Sequence, residues 1–128
     1  MAIDVPAILD ALGAALGTIS GLRVYDYPPD SVAVPAAVVG YPESVTYDAT
    51  YRRGSDQCEV PVTVLVGKAS DRASRDALTP YFASVKAAID GNLGGVVADA
   101  RVARADVAQI TVGAVDYVGA VFTVEVYA

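Results

Sequence analysis

Residues 57–66 read QCEVPVTVLV, with Cys58, Val60, Val62, Val64 and Val66 at every second position and Gln57, Glu59, Pro61 and Thr63 between them. Successive side chains of a strand point to opposite faces, so this spacing predicts a strand with one apolar face and one mixed face. Pro61 restricts it further. A proline cannot donate to a sheet ladder, which predicts an edge position or a bulge there.

Upstream, Val45, Tyr47 and Tyr51 alternate with Thr46, Asp48 and Thr50, and Arg53-Gly54-Ser55-Asp56 supplies a turn signal. Residues 44–66 are therefore expected to form a long projecting β-hairpin, whose eight-residue arm would reach about 25 Å. Between Pro35 and Pro42 the run Ala36 to Tyr41 carries no charge and is expected to be a sheet strand framed by the two prolines. Pro28-Pro29-Asp30 reads as the turn that leads into it. A further short strand is expected around Leu22 to Tyr25.

Two segments carry the helical period. Asp4 is placed as an N-cap with Pro6 in the first turn, and Val5, Ile8, Leu9, Leu12, Leu16 and Ile19 follow at spacings of three and four. Gly17 to Gly21 ends this helix. Its remaining faces hold Ala7, Ala11, Ala14 and Ala15 and the single charge Asp10, so something else is expected to cover it. The second helix has Ser70 or Asp71 as cap and Leu78, Phe82, Val85 and Ile89 as its stripe. Thr79-Pro80 predicts two helical pieces, the second beginning at Pro80, with Gly91 as the stop. Three closing segments, Val96 to Arg104, Val107 to Val112 and Val115 to Tyr127, read as strands; in the last, Val118, Ala120, Phe122, Val124 and Val126 point inward.

The pattern gives an α+β class: a mostly antiparallel sheet with two helices on one face and the projecting hairpin. A length of 128 residues fits a single domain, 1–128, with one core. No run of about 18 apolar residues suggests a membrane span, and Met1 to Pro6 lack the basic start of a secretory signal, so a soluble cytosolic start is expected.

Chemistry is poorly provided for. The chain has no histidine, which removes the usual proton shuttle and metal ligand together. Its carboxylates do not sit in apolar runs that would raise their pKa. Cys58 is the single cysteine and shares a face with four valines, which predicts a buried, inert thiol. VLVGKAS, around Gly67-Lys68, has the strand-to-helix order of an anion site but lacks the glycines of a P-loop, and GNLGG at 91–95 is explained as a turn. No catalytic, cofactor-binding or metal residue is assigned. A net charge of −6 argues against gripping a phosphate backbone. Tyrosine and arginine at the hairpin, Tyr47, Tyr51, Arg52, Arg53 and Asp56, instead form the candidate contact to a neighbouring subunit or ring. The surplus apolar surface of the first helix and of residues 35–42 points to self-association.

Taken in order, the first helix, the hairpin YPESVTYDATYRRGSDQCEVPVTVLVG, the helical DRASRDAL and SVKAAID, the LGG turn and the closing VGAVDYVGAVFTVEVYA resemble the tail terminator proteins of long-tailed phages, particularly those of actinobacterial hosts. The resemblance spans nearly the whole chain; it departs where such proteins often carry a Gly/Ser-rich insertion and this chain runs on through Tyr81-Phe82-Ala83-Ser84. It implies a non-enzymatic structural virion protein, without cofactor, made in the host cytoplasm. Such a protein forms a homo-oligomeric ring, a hexamer, at the head-proximal end of the tail, stops the tail tube protein and joins it to head completion and neck proteins. DNA then passes through the lumen without specific binding. Two alternatives stay open: a neck or head completion protein, and a small enzyme using carboxylates and Lys68.

Overall fold

The structure, a computed structural model, describes residues 4–25, 33–47, 56–68, 73–91, 93–97 and 99–127. Along the chain these form α1 (Val5–Leu16), β1 (Arg23–Tyr25), β2 (Ala36–Val39), β3 (Ser44–Thr46), β4 (Gln57–Lys68), α2 (Ala73–Ile89), β5 (Asp99–Val112) and β6 (Val115–Tyr127). The strands make a single sheet in the order β1-β2-β4-β6-β5, with β3 beside β2 on the same flank of β4. Among the described residues only the β1–β2 pairing is parallel. Both helices cover one face, where Ile8, Leu12 and Leu16 of α1 and Leu78, Val85 and Ile89 of α2 meet the inward residues of β2, β4 and β6 in one core. The α+β expectation holds.

Local signals at the helix ends act as expected. Asp4 Oδ1 accepts a hydrogen bond from Ala7 N–H at 3.2 Å and caps α1, with Pro6 in the first turn. Ser74 is buried, and its Oγ donates to the Lys68 carbonyl at 3.0 Å, which ties the start of α2 to the end of β4. The expected caps Ser70 and Asp71 and the turn at Pro28 to Asp30 lie outside the described residues.

Three expectations need correction. Pro61 is neither at an edge nor at a bulge: β4 is the central strand, bonded to β6 along its whole length. The proline is tolerated because β2 pairs with Val62–Leu65 and β3 with Gln57–Glu59, leaving a gap opposite Pro61. Gly40 N–H donates to the Pro61 carbonyl at 2.8 Å, so the side of Pro61 that lacks a donor faces this interruption. A Cβ at Gly40 would stand 2.8 Å from Pro61 Cγ, so the approach requires glycine.

Second, α2 is one helix through Pro80. The proline lies on the exposed side with Asp76 and Thr79, where the carbonyl that loses its partner can turn to water. Third, the two segments expected between residues 96 and 112 are one strand. An extra residue at the Val102/Arg104 shift moves the inward positions from Ala100 and Val102 to Ala105 and Val107, which made the alternation look broken.

The expected hairpin 44–66 is paired at its base, Ser44–Thr46 against Gln57–Glu59. Its tip, residues 48–55, lies outside the described residues, and its second arm is the middle of the sheet. Ala36 to Val39 is a strand, as expected from the run between Pro35 and Pro42, although Gly40 and Tyr41 fall beyond its end.

Candidate assembly surface

Of the proposed contact residues, Tyr51, Arg52 and Arg53 lie outside the described residues. Tyr47 follows β3 directly and is 73% exposed. Asp56 is half-buried and directly precedes Gln57, which pairs with Thr46, so Tyr47 and Asp56 each stand next to the last pair of the ladder. Tyr41, at the other end of the same segment, is 75% exposed. The fold thus brings two exposed tyrosines to either side of β3, on the flank of the sheet opposite β5. Exposed tyrosines supply large contact area at low entropic cost, which is the chemistry of a protein interface.

The sheet face without helices carries a second group, which sequence reasoning missed. Arg101 Nε and Nη2 both donate to Glu125 Oε2, at 3.0 and 2.9 Å, and Tyr127 O–H donates to the same oxygen at 3.1 Å. Arg104 Nε donates to Asp106 Oδ2 at 3.0 Å. These bonds and the neighbouring carboxylates hold both guanidinium pKa values above the ordinary arginine value. Two cations on the outer strand of this face are therefore each paired with a carboxylate.

On the helix side, a groove of about 530 Å³ runs between α1 and the end of α2, lined by Ala11, Ala14, Ala15, Ile89, Leu93 and Val96. Asp90 also lines it, and the residues α1 contributes are all alanine. Cys58 is buried, and burial pushes its thiol pKa up, which leaves it unreactive. Among the described residues, no three His, Cys, Asp or Glu side chains stand together in a way that could hold a metal ion. No helix among them is long and apolar enough to cross a membrane.

Asp90 joins the helix layer to the outer strand. Its Oδ2 accepts from Lys86 Nζ at 2.6 Å and its Oδ1 from Val102 N–H at 2.9 Å. Partial burial pushes this carboxyl up, but the hydrogen bonds from Lys86 and Val102, with the charges of Lys86 and Arg101, outweigh it and hold the pKa below the ordinary value. A depressed folded-state pKa stabilises the fold above the unfolded value of about 4 and loses that contribution as pH falls through the folded value. Asp90→Ala is expected to cost about 1 kcal/mol at neutral pH. In urea titrations the gap between wild type and variant should close as the pH falls below the carboxylate range; a gap that is independent of pH would contradict this role.

No family profile matches the chain, and no curated protein matches it. Among solved structures, a chain from the virion of a native gene transfer agent (GTA) particle superposes with a TM-score of 0.64 at 19% identity, over 99% of this chain and 100% of that one.

Proposed function

We propose that this chain is a structural virion protein: the repeating subunit of a ring at the head-proximal end of a phage-type tail, most similar in role to a tail terminator. The observation that carries this reading is the end-to-end correspondence with a chain of the gene transfer agent virion, with almost nothing left over on either side. It agrees with the order of elements that resembles tail terminators. The surface chemistry supports it as well, because exposed tyrosines and a charge-poor helix suit contacts between proteins, and the tied arginines suit a wall beside passing DNA.

In this reading the ring acts sterically. One rim covers the last ring of tube protein and stops its growth, and the other receives the head completion and neck proteins. The chain's net charge of −6 disfavours retention of DNA in the lumen. The test is a phage from which this gene is deleted, with the chain supplied in trans as the control. Tails of irregular length that fail to join heads are expected. Tails of normal length that fail to join heads would place the chain on the neck side instead, and normal joined tails would refute the reading.

A further inference from the structure

β5 is an outer strand, and the two parts of its free edge are treated differently. Ala100 donates to the Gly91 carbonyl at 2.6 Å and accepts from Gly91 N–H at 2.9 Å, while Val102 N–H donates to Asp90. The chain leaving α2 therefore covers the first part of the edge. Beyond the extra residue at Ala103, the phase of the strand reverses. Val112 and Val115 close the two-residue turn Gly113-Ala114, where Gly113 has the φ of 62° such a turn needs at its first position. The closing pair of a two-residue turn is hydrogen-bonded. Counting back in twos, Ile110, Ala108, Asp106 and Arg104 bond to β6, whereas Thr111, Gln109, Val107 and Ala105 turn N–H and C=O away from it. None of these four finds a backbone partner on the outer side among the described residues.

Exposed edges of this kind are normally guarded by proline, lysine, a bulge or a covering segment. From Ala105 to Val112 there is no proline and no glycine, and Asp106 is the one charge. Val107 is 63% exposed on the side of the sheet that bears the helices.

The opposite border of the sheet offers a strand of the right sense. Arg23 N–H donates to the Pro35 carbonyl at 3.1 Å, so by alternation Val24 presents its backbone groups outward from β1. β1 is parallel to β2, and every following pair across the sheet is antiparallel, so β1 and β5 run in opposite directions. A second copy placed side by side in the same orientation would thus continue the sheet with antiparallel pairing. α1 lies over β1, close enough that a Cβ at Gly13 would reach Val24 Cγ1 at 3.9 Å. In that placement α1 of the second copy, with Asp10 as its one charge, lies on the side of the sheet that exposes Val107. Two charge-poor surfaces then meet beside the backbone bonds.

We propose that residues Ala105 to Val112 of β5 are a docking strand for a second copy of this chain, paired edge to edge with its β1 border. Such a contact joins two different borders, so repetition builds a ring or a filament and not a closed pair. It rests on the ring reading for its closure, not for its existence.

Val107→Pro removes one outward N–H while leaving the β5–β6 bonds in place, and Gln109→Pro repeats the test one step along. Val107→Thr keeps both the N–H and the branched shape. Native mass spectrometry and sedimentation of the full chain at submillimolar concentration should show association of wild type and Val107→Thr. The proline variants should associate at least about tenfold more weakly, with unchanged urea midpoints. Amides of Val107 and Gln109 should exchange more slowly in the assembled state than in the dilute chain. A chain that stays monomeric, proline variants that associate like wild type, or amides at both positions that exchange equally fast in both states would overturn the proposal. Weakened association in the proline variants together with normal joined tails in phage carrying them would keep the strand pairing and refute the ring's role in the tail.

Discussion

Phe122→Ala is expected to lower the free energy of unfolding by about 3–5 kcal/mol, a large part of the stability of a domain this size. Phe122 is 1% exposed and is the largest of the fully buried side chains. It points from β6 into the layer between sheet and helices, opposite Val62 of β4 and Ala105 of β5. Phe82 of α2 lies over it with ring centroids 6.1 Å apart. Truncation removes one of the contacts that hold α2 on the strand pair, beside those of Leu78, Val85 and Ile89, and leaves a void between closely packed elements. Urea denaturation monitored by circular dichroism measures the change. A loss below about 1 kcal/mol would mean that the helix layer does not close on Phe122 as described.

Gly119→Ala is expected to destabilise by about 2–3 kcal/mol even though it adds a single methyl group. Gly119 is buried on the helix-free face, opposite Leu65 of β4 and Ala108 of β5. A Cβ there would fall well inside contact distance of the Val64 carbonyl oxygen, which is backbone and cannot swing aside. It would also stand 3.0 Å from Leu65 Cδ2 and 3.3 Å from Ile110 Cδ1. The absent side chain is what lets Leu65 be fully buried on a face that no helix covers. A Gly119→Ala protein with the wild-type urea midpoint would show that β4 and β6 do not approach this closely.

The alternation of Cys58 to Val64 and of Val118 to Val126 was legible because each run keeps one phase, and the slip in β4 comes only at its end, between Leu65 and Gly67. β5 was not, because its phase slips at Ala103, and a bulge leaves no residue signature of its own there. The same slip hid the Arg101–Glu125 pair. An unbulged hairpin from the Gly113-Ala114 turn would set Arg101 opposite Val126, and the extra residue moves it to Glu125. Pro61 and Pro80 were misread for a shared reason: each proline fails locally as a donor, but whether that matters depends on what faces it. In β4 the missing donor meets a gap between two other strands, and in α2 it meets solvent. Neither neighbour is visible from the proline's own surroundings in sequence.

For the assembly surface, the tyrosines were legible as residue types and their placement was not. Tyr47 was expected within a strand; it stands just past the end of β3, where its ring is free to reach a neighbour. The free half of β5 gave no signal at all, because which strand lies at a border follows from pairing order across the whole sheet.

The central claim is that the chain terminates a tail tube, and the measurement that bears on it most directly is the distribution of tail lengths when the chain is missing. Electron micrographs of tails from the deletion strain should show a broad distribution extending well beyond wild type, narrowing again when the chain is restored. A sharp distribution at the wild-type length, with or without the chain, would contradict the account.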